Sequence, residues 1–229
     1  MQILAIDTAS PAPSVTLLAR GSAWEEGLGL SRPQSDRVAG AAGMPPSERA
    51  RASEELLPAI ERCFEAAGAR LAEVDRIAVC SGPGSFTGLR IGLATAWGLG
   101  RAAGIPVETV STLEALAETV RARGILEVAT ALDAGRGEVV LAVYSLRGDR
   151  AKLTSDPVRL SHEAARERTR GLRVVSLPPD LVTPRGEKVA TSPSRALALA
   201  VARVPGETAS RLAGVYSRPS AAEEKRGAP

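Results

Sequence analysis

The chain has 229 residues, 44% hydrophobic and 24% charged, which is the make-up of a folded protein with material for one large domain or two small ones. Its net charge is +3, from 29 Lys and Arg against 26 Asp and Glu, so contact with RNA is permitted but not demanded. Aromatic residues make up 3%, too few for a base-stacking platform, and a single histidine excludes a two-histidine metal site.

No apolar run is long enough for a membrane span, and Met1 leads straight into a strand-like run instead of a secretory leader; the expected setting is the cytoplasm, with no membrane contact. Cys63 and Cys80 lie in apolar segments and are expected to be reduced core residues.

In chain order, the short apolar run 3–6 breaks at Asp7-Thr8-Ala9-Ser10-Pro11 and resumes over 14–19, which predicts a β-hairpin; Ala23 to Glu26 extends the meander. Gly29 to Arg49 has no period and many Gly, Pro, Ser and Arg residues, as in a mobile surface loop or an ordered lid. From Ser53, an expected N-cap, Leu56, Leu57, Ile60, Phe64 and Ala67 share one helical face, with Pro58 expected to kink the helix or delay its start and Gly68 to stop it. A strand at 75–80 enters the glycine-rich turn 81–88, followed by a helix to about Ala103, a strand at 105–110 and a helix from Ser111 or Thr112 to about Ala122. Strands at 126–132 and 137–144 pair across the Asp133–Arg136 turn. Beyond Gly148 the signal weakens to a helix near 162–168, a strand at 172–177 and a helix at 194–202, and residues 221–229 read as a solvated tail. The order implies mixed sheets with flanking helices.

Three features could carry function, and each has a plain structural reading. Asp7 and Thr8 at a strand end could hold a hydrated Mg²⁺ and a phosphate, or form a local Asx turn. The loop with Gly82, Gly84, Ser85, Thr87 and Gly88 could present backbone N–H groups to phosphate, or be a tight strand-to-helix turn; it matches neither the Walker A nor the Rossmann spacing. Gly88, Gly92, Ala96 and Gly100 recur every fourth residue, forming a groove for a partner helix or for the protein's own sheet. Single His162 reads as a surface residue, no Gly-x-Ser-x-Gly elbow occurs, and neither cysteine has a basic neighbour that would make a thiolate. Asp133, Arg136 and Glu138 are explained by a polar hairpin turn.

Together, the segments 3–9, Ser81-Gly82-Pro83-Gly84-Ser85-Phe86-Thr87-Gly88-Leu89-Arg90-Ile91-Gly92, 110–117 and 131–139 resemble the TsaB family, with a weaker echo in Tyr216-Ser217-Arg218-Pro219. The resemblance implies an actin-like, sugar-kinase-like (ribonuclease H-like) α/β fold of two lobes, 1–104 and 105–220, with mixed sheets. It implies a non-catalytic scaffold of the complex that makes N6-threonylcarbamoyladenosine at position 37 of tRNA. The expected partners are the catalytic subunit TsaD and the ATPase TsaE, with a homodimer when the chain is alone and tRNA reached through the complex. ATP and Mg²⁺ are expected in the assembly, with no cofactor or metal on this chain alone and Asp7, Thr8, Gly82, Gly84, Ser85 and Thr87 as a degenerate phosphate loop. The expected interface comprises Leu56, Leu57, Ile60, Phe64, Phe86, Gly88, Arg90, Gly92, Ala96 and Gly100, so that Gly92→Leu should block assembly. Ala52 stands where members of the family often carry a histidine, Gly29–Arg49 looks longer than usual, and Ser217 replaces an apolar residue. A stand-alone ATP-binding or ATP-hydrolysing enzyme of the same fold is the alternative; a peptidase lacks a nucleophile.

Overall fold

The computed structural model describes residues 1–28, 46–183, 186, 187, 189 and 191–206, the first helix by its backbone alone up to residue 53. The apolar run Ile3–Asp7 forms β1, buried at all five positions because it lies in the middle of a sheet. It pairs antiparallel with β2 (Ser14–Ala19), Ile3 opposite Leu18 and Asp7 opposite Ser14, and β2 pairs with β3 (Ser22–Gly27). On the other side of β1 runs β4 (Arg76–Cys80), parallel to it, and then β5 (Val107–Val110), giving the order β3-β2-β1-β4-β5.

The first helix, α1 (Pro46–Ala67), begins before the expected cap at Ser53. Proline at the first helical position costs nothing, because its missing N–H would be unpaired there anyway. Residues 46–49 of the expected loop are therefore helical, while 29–45, 207–229 and with them the Tyr216–Pro219 echo and the tail lie outside the described residues. The helix runs on through Pro58, which is exposed, so the carbonyl freed by the ring lies on the solvent side. Gly68 ends it at φ 58°, with Ala69 N–H donating to Phe64 O and Gly68 N–H to Glu65 O, both at 3.1 Å.

Between β4 and β5 lies α2 (Phe86–Ala103), capped by Ser85, whose hydroxyl accepts from Gly88 N–H, and closed by Gly104 at φ 69°. A short α3 (Thr112–Glu118) and a 3-10 turn (Arg121–Arg123) replace the longer helix expected there. The second sheet repeats the first: β6 (Glu127–Gly135) and β7 (Glu138–Ser145) pair antiparallel, β8 (Lys152–Ser161) adds outside β7, and β9 (Arg173–Leu177) runs parallel to β6. The order is β8-β7-β6-β9. Strand β8 had no sequence signal because it is an edge strand without apolar alternation, carrying Asp156 and Pro157 where the sheet tolerates them. Helix α4 (His162–Arg168) joins β8 to β9, and α5 (Pro193–Arg203) follows.

Helices α1 and α2 lie side by side on one face of the first sheet, with Leu56, Ala59, Ile60, Leu93 and Ala96 over Leu4, Ile6, Ile77 and Val79. The second sheet is covered by α3 on one face and α4 on the other. The two sheets do not divide at 104/105. Strand β5 belongs to the first sheet, and α5 returns from the second lobe to cover the other face of the first, placing Leu197, Ala198 and Val201 against Ile3, Ala5 and Ala78. Ser194 of α5 shares hydrogen bonds of 2.8 Å with both Ser14 and Thr16 of β2. Because Leu197 is fully buried at this contact, Leu197→Ala should cost about 2–4 kcal/mol in urea unfolding; a loss below about 0.5 kcal/mol would mean that α5 does not hold the first sheet.

Candidate functional site

Asp7, Thr8, Gly84, Ser85 and Gly88 do come together, and what they bind is each other. Asp7 Oδ1 accepts from the N–H of Ala9 at 3.0 Å and of Ser10 at 3.1 Å, which is the Asx turn. Thr8 Oγ1 donates to Gly88 O at 2.7 Å, and Ser85 N–H donates to Ala9 O at 2.9 Å. The turn after β1 is thus fastened to the first turn of α2. Gly82 adopts φ 103°, and its carbonyl accepts from Thr112 N–H at 2.7 Å, tying the same loop to α3. Thr87 alone of this group is exposed.

Glycine is required here by space. A Cβ on Gly84 would run into the Ala9 carbonyl, one on Gly88 into the Thr8 carbonyl, and one on Gly92 into Thr8 Oγ1. At Gly100 it would lie 2.5 Å from Val107 Cγ2 and 2.8 Å from Ile105 O. The stripe Gly88, Gly92, Ala96, Gly100 therefore faces the protein's own sheet, which corrects the expectation that it forms a partner groove. Leu56 and Ile60 are likewise buried inside the chain. Of the expected interface residues, Leu57 and Arg90 are exposed, and Phe64 and Phe86 are half-buried, with the Arg90 guanidinium 3.9 Å over the Phe86 ring.

The outward face of α2 lies two residues out of register with the inward stripe. There Ala94, Gly98 and Ala102 are exposed, and a Cβ at Gly98 would meet nothing within 4 Å. Half-buried Ile91 lies one turn before Ala94 on α2, and Leu57 of the neighbouring α1 is exposed as well. Sequence reading missed the strip because the four-residue spacing of the inward stripe was the stronger signal; the i, i+4, i+8 series 94-98-102 carries the same information.

Electrostatics agree with the packing. Asp7 is fully buried, and burial pushes its carboxyl above the usual carboxylate range, with the Ser10 and Ala9 hydrogen bonds pulling the other way; among the described residues its Oδ2 has no hydrogen-bond partner. A fully buried carboxyl with one oxygen taken up by the Ala9 and Ser10 amides, in a turn clamped to the glycine loop, does not fit a hydrated Mg²⁺-phosphate group. Burial, followed by the charge of Glu26, raises the Cys63 thiol to about 11; burial, followed by the charge of Asp7, holds Cys80 well above its ordinary value, so neither is a thiolate nucleophile. Asp133 Oδ1 accepts from Gly135 N–H at 2.7 Å, and Arg136 sits at φ 58° in the hairpin tip, the plain turn reading of that segment. Half-buried His162 donates its backbone N–H to Gly137 O at 3.3 Å. Among the described residues no group of three or more His, Cys, Asp or Glu could hold a metal ion, and no helix is long and apolar enough to cross a membrane.

Two mixed sheets, β3-β2-β1-β4-β5 and β8-β7-β6-β9, each flanked by helices, define a two-lobed α/β protein. The family described as TsaD, tRNA N6-adenosine threonylcarbamoyltransferase, matches residues 31–161, more than half of the sequence, and the chain belongs to that family. Within it the chain is TsaB/YeaZ-like. It is 37% identical over 145 residues to the tRNA threonylcarbamoyladenosine biosynthesis protein TsaB of Escherichia coli K12, over 63% of this chain and 55% of that one. With the protein of the same name from Haemophilus influenzae it shares 33% over 157 residues, 68% of this chain and 57% of that one. The matches thus span a little over half the length of these curated relatives. The solved structure of YeaZ from Pseudomonas aeruginosa superposes with a TM-score of 0.69 at 27% identity, covering 94% of this chain and 99% of that one.

Two substitutions separate the inward from the outward face of α2. Gly92→Ala should lower stability by more than ~2 kcal/mol, whereas Gly98→Ala should raise it by about 0.5–1 kcal/mol; equal effects in chemical unfolding would contradict the orientation of the helix. For Asp7, a folded-state pKa above the unfolded value means that its contribution to stability is present at low pH and lost as pH rises through the folded value. Asp7→Asn should therefore melt higher than the parent at about pH 8, with the gap closing towards about pH 4. A variant that melts lower at about pH 8 would show that the carboxylate itself stabilises the fold.

Proposed function

We propose that the chain is a non-catalytic subunit in the formation of tRNA N6-threonylcarbamoyladenosine, docking a TsaD-type catalytic subunit on the outward face of α1 and α2. The observation that carries this reading is the exposed, side-chain-poor strip Ala94, Gly98, Ala102 on α2, which packs beside α1 on one face of the first sheet. Small residues let a partner helix approach at the short end of the usual ~8–10 Å interaxial range. Family membership and the names of the TsaB relatives supply the reaction.

The chain's contribution on this reading is binding energy. It fixes the catalytic subunit in its working state, while ATP, Mg²⁺ and a TsaE-type ATPase act in the assembly, in the cytoplasm, and tRNA is reached through the complex. When the partner is absent, the same strip serves a homodimer. A stand-alone ATP-hydrolysing activity is disfavoured by the burial of Asp7 and the clamp on the glycine loop, and a peptidase by the protonated thiols and the absence of a Gly-x-Ser-x-Gly elbow.

Gly98→Arg leaves the inward face of α2 untouched and fills the strip. Co-expressed with the TsaD-type subunit of the same genome, the variant should bind at least about tenfold more weakly, a cost of ~1.4 kcal/mol, with its own melting temperature little changed. Full co-elution of a folded Gly98→Arg would rule out this face as the docking surface.

A further inference from the structure

At the seam between the two sheets, three carboxylates and four guanidiniums form two neighbouring clusters that join β4, β5 and α5 to α3 and the β7–β8 turn. Glu108 of β5, its side chain 2% exposed, accepts from Arg150 Nη1 at 2.5 Å and from Gly206 N–H at 2.9 Å, with Arg76 Nη1 of β4 at 3.9 Å. Arg150, in the turn between β7 and β8, also donates through Nε to Glu114 of α3 at 2.6 Å and through Nη1 to Val204 O at 3.2 Å. Glu118 of α3, 1% exposed, accepts from Arg121 through Nε at 2.5 Å and Nη2 at 2.8 Å, from Arg203 Nη2 at 2.7 Å and from Ala151 N–H at 2.5 Å. The same arginines hold the second lobe's turn by its backbone: Arg121 Nη1 donates to Leu146 O at 3.0 Å and Gly148 O at 2.7 Å, and Arg203 Nε to Asp149 O at 2.8 Å.

The apolar contacts at this seam, Ala115 of α3 with Leu197 and Val201 of α5, are non-directional and allow sliding. Guanidinium–carboxylate hydrogen bonds are directional, and a carboxylate this deeply buried strongly disfavours any arrangement that strands it. Gly206 is part of the fit, since a Cβ there would lie 2.8 Å from Arg150 Nη1 and closer still to Glu108. We propose that the Glu108–Arg150–Glu114 and Arg121–Glu118–Arg203 clusters are an inter-lobe lock, which holds the two sheets at one angle and makes the chain a rigid two-lobed body instead of a hinge. The lock stands independently of the docking face on α1 and α2. If the docking reading also holds, the lock is what carries the second lobe in a fixed position relative to the bound partner.

The test is amide hydrogen exchange on the full chain with Arg150→Met. The lock predicts at least tenfold faster exchange in β5, α3, residues 146–151 and residues 203–206, while the centres of β1 and β6 keep their protection and thermal unfolding separates into two steps. A uniform loss of protection across both sheets would mean a general contribution to stability, and unchanged exchange would mean no restraint at all; either overturns the proposal. Should Arg150→Met fail to fold, Arg203→Lys keeps the charge but cannot reach both Glu118 and the Asp149 carbonyl as Arg203 does, and the same comparison of seam and sheet centres decides the question.

Discussion

The approach of α2 to the turn after β1 is the constraint on which most of this molecule depends. Gly84, Gly88 and Gly92 present bare backbone to Thr8 and Ala9, and the Thr8 hydroxyl and Ser85 amide stitch the two segments together. That contact sets the height of α2 over β1 and β4. With α2 in place, α1 fits beside it, and Leu56, Ile60, Leu93 and Ala96 close the core beneath both helices. The outward face is then fixed by elimination: whatever the glycines do not press against the sheet, α2 shows to the outside. The same contact draws the Asp7 turn inward and buries its carboxyl, so the segment that resembles a phosphate site is used here as a structural joint.

A good part of this was legible in the sequence. The apolar runs of β1, β2 and β4 and the glycine-rich turn before α2 gave local signals strong enough to place the elements. The glycine stripe was visible too, but periodicity identifies a face of a helix without saying what it faces. The deciding partner was Thr8, 80 residues away from Gly88, and no local rule connects them. The start of α1 was hidden because its first turns are polar and lack an apolar period, and tertiary packing of the later turns evidently carries them. Strand β8 was hidden because an edge strand packs too little of itself to need a pattern.

The seam between the sheets was illegible for a different reason. Glu108, Glu114, Glu118, Arg150 and Arg203 are ordinary charged residues in sequence, each reading as solvated surface. Only the fold, by returning α5 from the second lobe to the first and by bringing the β7–β8 turn against α3, converts them into a buried network. A division of the chain at residue 104 misses this, because β5 and α5 each belong to the lobe that sequence order would not give them.

The measurement that tests the account most directly is amide hydrogen exchange of the chain alone and in mixture with the TsaD-type subunit of the same genome. The account predicts new protection confined to α1 and α2, over residues 54–66 and 87–102, with the β8–α4 region unchanged. Protection confined to the second lobe, or none anywhere under conditions where the two proteins are present together at high concentration, would contradict it.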